Sequence, residues 1–128
     1  MIGLALLAVA QAASAQQAPI DETKIAEHLA AIETKMSAWD GGLTKRDGQV
    51  VCQTVTSSGD EAADAIRCAA MLKCYAPYTA KLDTIAASDA PIEERRAQMH
   101  AIGEQAAPCI AAAGAQAAQR LAEYRAAR

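Results

Sequence analysis

The feature that most constrains the fold of this 128-residue chain is its set of four cysteines. They are Cys52, Cys68, Cys74 and Cys109. The apolar residues available for a core are small: alanine dominates, phenylalanine is absent, and one tryptophan and three tyrosines are the aromatic side chains. Because each small side chain buries little apolar area, a domain of this size needs a further source of stability, which paired cysteines can supply.

The N-terminus predicts export. Ile2 to Ala10 form an apolar run, and the small residues Ala13, Ser14 and Ala15 follow it. This is the outline of a signal peptide at residues 1–15, although no Lys or Arg precedes the run. A run of about nine apolar residues is shorter than the roughly 20 that a membrane-spanning helix needs. Cleavage between Ala15 and Gln16 should therefore leave a periplasmic or secreted protein without a stable membrane anchor.

In an exported chain, an even number of cysteines predicts a disulfide framework rather than a metal or redox site. A straight hairpin of the two long predicted helices would place Cys68 opposite Cys109, so the favoured pairs are Cys68 with Cys109 and Cys52 with Cys74. The alternative set pairs Cys52 with Cys68 and Cys74 with Cys109, and applies if residues 46–57 are helical. Spacing alone leaves both sets open.

Three stretches show helical periodicity together with signals for helix ends. The predicted helices cover residues 21–39, 59–87 and 90–126. Asp21 is the expected N-cap of the first helix, Ser58 and Glu61 form a capping box for the second, and Asp89 caps the third. Pro77 should bend the second helix, because proline removes a backbone hydrogen bond.

These elements predict an all-α fold: a small, disulfide-stapled three-helix bundle, made of a long helical hairpin and an N-terminal docking helix. Residues 16–20 would form a short N-terminal tail, and residues 21–128 the helical domain. Within that domain, residues 43–57 are rich in Val and Thr without strict alternation, so we expect them to be irregular or extended.

Charge and residue spacing argue against several functions. The net charge is −3, and 12 basic and 15 acidic side chains are interspersed, so we expect no nucleic-acid partner. His28 and His100 have no Cys, Asp or Ser at motif spacing, which leaves no predicted catalytic, metal or cofactor residues. The chain is therefore expected not to be an enzyme.

The remaining hypotheses concern binding. The first is a non-catalytic exported protein that acts through a surface for an unknown protein or small ligand, and the alternative is a periplasmic stress-type holdase chaperone that loosens near pH 3. Tyr78 is the better candidate for a surface aromatic, since Tyr75 belongs to the predicted helical seam. A seam left uncovered would favour a homo-oligomer.

Overall fold

The computed structural model describes residues 19–128, so the predicted signal peptide and its cleavage site at Ala15 and Gln16 lie outside the described residues. The described chain is mostly helical, with two disulfides and a two-stranded sheet. Its elements are α1 (Glu22–Ala38), β1 (Asp40–Arg46), β2 (Gln49–Thr56), α2 (Glu61–Tyr75), a 3-10 turn (Ala76–Tyr78), α3 (Thr79–Ala87) and α4 (Ile92–Ala126). Within residues 19–128, no helix is long and apolar enough to cross a membrane.

An antiparallel β-hairpin corrects the all-α prediction. Strands β1 and β2 pair from Asp40↔Thr56 at the base to Arg46↔Gln49 at the turn, so most of the segment expected to be irregular or extended is a regular sheet. Asp47 and Gly48 form the turn with φ angles of 53° and 78°. Two consecutive positive φ values are what a two-residue type I′ turn requires, and Asp-Gly adopts them at little steric cost.

The helix ends differ in part from the prediction. Asp21 does cap α1, and its carboxylate accepts a hydrogen bond from the Lys24 N–H at 3.1 Å. Helix α2, however, begins after Asp60 rather than Ser58, and the Asp60 carboxylate accepts from the Ala63 N–H at 3.2 Å. The N-cap of α4 is Pro91 rather than Asp89, and it makes no side-chain capping bond.

The second predicted helix is divided in two. A 3-10 turn containing Pro77 separates α2 from α3, so the expected bend is a break in the α-helix. Proline cannot donate the hydrogen bond that would continue the helix, and a tighter 3-10 turn bridges such a gap. By contrast, α4 continues through Pro108 as one 35-residue helix.

Helix α4 is the element on which α1 and α2 pack. Ile32 of α1 is fully buried against Ala118 and Ala122 of α4. Near the other end of this contact, the side chain of Met36 lies close to Gly114, where an added Cβ would come within 3.2 Å of the Met36 methyl group. Small residues on α4 therefore allow α1 to approach its backbone closely, as the alanine content of the sequence suggests.

The disulfides correct the favoured pairing. Cys52 of β2 is bonded to Cys68 of α2, with 5.5 Å between their Cα atoms, and Cys74 of α2 is bonded to Cys109 of α4, at 5.7 Å. Six residues at about 100° each place Cys68 and Cys74 some 120° apart around α2, so they face different neighbours. Disulfides of this kind are characteristic of an oxidising compartment.

The wrong pairing has a structural cause. It assumed an unbroken second helix lying straight along the third, whereas α2 ends at Tyr75 and a 3-10 turn containing Pro77 separates it from α3. The register of α2 on α4 is shifted as a result, and Cys74 rather than Cys68 faces Cys109. Cys68 then faces β2, so the alternative pairing is the one that forms although its segment is extended rather than helical.

An ion pair fastens the start of α2 to the end of α4. The two terminal guanidinium nitrogens of Arg125, Nη1 and Nη2, donate to the Asp60 carboxylate, each at 2.9 Å. The hydrogen bond from Arg125 is the main cause that lowers the pKa of Asp60 from 3.8 to about 2. The neighbouring Asp64 accepts from the Ser57 and Ser58 hydroxyls at 2.5 and 2.6 Å, which lowers its pKa as well.

The Asp60 pKa predicts how stability depends on pH. Because the folded-state pKa is below the usual 3.8, the ion pair stabilises the fold fully above about pH 4 and is lost as pH falls towards 2. Arg125→Met should remove about 1 kcal/mol at pH 7, allowing for solvent screening, and should flatten the acid limb of the stability curve. Urea unfolding between pH 2 and pH 7 measures this, with Arg120→Met as the control. Parallel acid limbs for both variants would contradict the prediction.

Candidate functional site

The best candidate for a functional site is a groove between the β-hairpin and the helices, with a volume of about 390 Å³. Strands β1 and β2 form one wall, while the end of α2, helix α3 and the first half of α4 form the others. The apolar side chains that line it are Leu43, Val50, Tyr75, Leu82, Ala86 and Met99. We call this feature the hairpin groove.

The strand register explains why the hairpin presents these side chains to the helices. Leu43 is paired with Cys52, and Lys45 with Val50, so all four lie on one face of the two strands. Because Cys52 is bonded to α2, that face is the one turned towards the helices. Leu43 and Val50 are half-buried there, while Val55 near the end of β2 is 70% exposed.

The polar groups of the hairpin groove lie at its rim. Lys45 Nζ of the hairpin donates to Asp83 Oδ2 of α3 at 2.8 Å, and each side chain is 48% exposed. Thr44 and Thr79 complete the lining. An ion pair with this exposure contributes about 0–1 kcal/mol, because water competes for both charges. The groove therefore offers an apolar floor with a weakly held pair of opposite charges at its edge.

Trp39 fixes the base of the hairpin. It follows α1 directly, is 5% exposed, and its indole N–H donates to Thr54 Oγ1 of β2 at 3.0 Å. The Arg67 guanidinium of α2 lies over the ring, 5.3 Å from its centroid, in a cation–π contact. A Cβ at Gly41 would collide with the indole ring, so glycine is required where β1 passes over it.

The predicted surface aromatic is not in the groove. Tyr78 is half-buried in the 3-10 turn, whereas Tyr75, assigned to the helical seam, lines the hairpin groove. The Tyr75 hydroxyl reaches α4, where it lies 3.2 Å from the position that a Cβ on Gly103 would occupy. His28 and His100 do not line the groove, and His100 makes an exposed contact with Glu104 at 3.1 Å.

The groove residues missed by sequence reasoning are those of the hairpin, above all Leu43 and Val50. The signal that identifies them is Asp47-Gly48, because this dipeptide between Thr- and Val-rich segments is a strong hairpin indicator. Once the turn is placed there, Leu43 and Val50 fall on the same face. Nothing in their local sequence indicates which helices they meet.

A second depression lies between α3 and α4, with a volume of about 530 Å³. More than half of its lining residues are polar, and the apolar ones are two isoleucines and two alanines. They are Lys81, Thr84, Ile85, Ser88, Ala90, Gln98, Ala101, Ile102 and Gln105. Such a surface is well solvated when empty. A ligand therefore gains more binding free energy by covering the apolar atoms of the hairpin groove.

Comparisons with known proteins add no relative. Protein-family models, curated proteins and solved structures all give no match to this chain. Within residues 19–128, no three His, Cys, Asp or Glu side chains are grouped closely enough to hold a metal ion.

Proposed function

We propose that this protein is an exported, non-catalytic binding protein that holds a small apolar molecule in the hairpin groove. The observation that carries the proposal is the composition of the groove, in which an aromatic ring and aliphatic side chains from four elements converge while charges stay at the rim. Its volume of about 390 Å³ lies in the range of small-molecule sites.

A small molecule is a better occupant than a protein for a physical reason. The hairpin rises on one side of the groove and α3 on the other, so the apolar atoms lie in a cleft rather than on a flat face. A stable protein interface covers about 800 Å² per partner, mostly over flatter surfaces. Export, which two disulfides support, would place the protein among the small molecules outside the cytoplasm.

The holdase hypothesis has less support. A holdase of this kind would loosen near pH 3, yet the Asp60 carboxylate, with a pKa of about 2, is still mostly ionised there and its pair with Arg125 still contributes part of its stabilisation. Two disulfides also hold the hairpin and α4 on α2 at any pH. Both features favour binding by a folded protein over binding by a loosened one.

Uptake of the neutral fluorescent probe diphenylhexatriene tests the proposal. We expect the disulfide-bonded protein to bind it, and Ala86→Gln to weaken binding about tenfold, since the ligand would have to bury the new amide. Ala87→Gln is the matched control, because Ala87 is also an exposed alanine of α3 but does not line the groove. Equal affinities for the two variants, or no uptake by the unmodified protein, would refute the proposal.

A further inference from the structure

We propose that the outer part of the β-hairpin is a movable wall, which turns about the Cys52–Cys68 disulfide and sets the width of the ligand that the hairpin groove accepts. This inference rests on the function proposed above. The movable part comprises residues 44–51, which we call the tip.

The disulfide divides the hairpin into a fixed base and a tip. Cys52 lies directly opposite Leu43 in the strand register, so its bond to Cys68 pins both strands to α2 at that point. On the base side, the buried Trp39 donates a hydrogen bond to Thr54, which anchors β2 at a second point. The base therefore cannot move without breaking a covalent bond or displacing a buried indole ring.

The tip is held far more weakly. Lys45 joins it to Asp83 of α3 through an ion pair in which both side chains are half-exposed, and such pairs contribute little. Val50 and Val51 of the tip are only half-buried, so neither adds a fully buried contact. A two-stranded ribbon has marginal stability by itself, and segments with few buried contacts open most easily. Movement of the tip as a unit would keep the hydrogen bonds between β1 and β2.

The opposite walls of the groove are stiff. Tyr75 follows Cys74, whose disulfide to Cys109 fixes the end of α2 on α4. The Tyr75 hydroxyl also packs closely against Gly103 of α4. Ile85 of α3 is buried as well, so the tip is the least anchored wall of the groove, and a broad ligand would need the Lys45–Asp83 pair to separate.

A zero-length cross-link tests this in the unmodified protein. A water-soluble carbodiimide joins the Lys45 amine to the Asp83 carboxylate as an amide, and the water lost converts the carbodiimide to its urea. The 2.8 Å distance between Nζ and Oδ2 suits this reaction. Peptide mapping verifies the link, and fluorescence titration then compares the slender probe diphenylhexatriene with the broad probe pyrene.

We expect the uncoupled protein to bind both probes. After coupling, affinity for diphenylhexatriene should persist, while affinity for pyrene should fall at least about tenfold because the wall can no longer yield. Asp83→Asn is the control, since carbodiimide cannot form the link there and pyrene binding should be the same before and after treatment. Unchanged pyrene affinity in the coupled protein would overturn the movable wall and leave the proposed function standing. Failure of pyrene alone to bind the uncoupled protein would also overturn the movable wall and leave the proposed function standing, whereas failure of diphenylhexatriene to bind it would overturn both.

Discussion

Replacing Cys74 and Cys109 together by alanine should lower the free energy of unfolding by up to about 4 kcal/mol. The bond closes a span of 35 residues, and cross-linking a span of this length removes about that much chain entropy from the unfolded state. A domain of this size has about 5–15 kcal/mol in total, so the variant should be close to its stability limit at 37 °C. Urea unfolding followed by circular dichroism measures the loss.

The Cys52→Ala/Cys68→Ala pair is the matched comparison. The Cys52–Cys68 bond closes a span of 16 residues, so its loss should lower the free energy of unfolding by up to about 3 kcal/mol. This bond attaches the hairpin to α2, whereas the other attaches α4 to α2. We expect Trp39 fluorescence to change at lower urea than the helical signal in this variant, because the indole ring packs under the hairpin. In the Cys74→Ala/Cys109→Ala variant the two signals should move together. Peptide mapping that joined Cys68 to Cys109 would contradict both expectations.

The helices could be predicted because their signals are local. The apolar stripe of α1 recurs every three or four residues, and Asp21 caps it with a hydrogen bond to the next turn. The position of Pro77 likewise marked the end of regular α-helix. In each case the residues that decide the structure lie within about one turn of one another.

The hairpin and the disulfide pairing could not be predicted by the same route. Strands β1 and β2 lack strict alternation because half-buried and exposed residues fall in consecutive blocks along each strand. The Asp47-Gly48 dipeptide indicates a hairpin turn, but the helical periodicity of the rest of the chain favours an all-α interpretation. Pairing depends on the register between elements that are distant in sequence, and the residues near Cys68 and Cys74 do not encode that register.

The hairpin groove is the least predictable feature because five elements contribute to it. Leu82 and Met99 each fit the apolar stripe of their own helix, and Leu43 lies in a segment with no clear pattern. Only the arrangement of the hairpin over the break between α2 and α3 makes them neighbours. The break between α2 and α3, which the disulfide prediction did not include, is therefore also part of what forms the candidate site.

Ile32→Ala should cost about 3 kcal/mol, which tests how α1 is attached. Ile32 is fully buried, and its neighbours Ala118 and Ala122 on α4 are small. Alanines cannot change rotamer to fill the space, so a cavity should remain, and loss of a buried isoleucine side chain typically costs 2–5 kcal/mol. Urea unfolding followed by circular dichroism gives the value.

Ile92→Ala is the matched control, because Ile92 is 54% exposed at the start of α4 and its truncation should cost less than about 0.5 kcal/mol. The difference in unfolding free energy between the two variants separates the effect of burial from the general effect of replacing isoleucine in a helix. A cost below about 1 kcal/mol for Ile32→Ala would mean that α1 is not docked on α4 in solution. Helix α1 leads directly into Trp39 and β1, so an undocked α1 would also loosen the base of the hairpin and weaken probe binding in the groove.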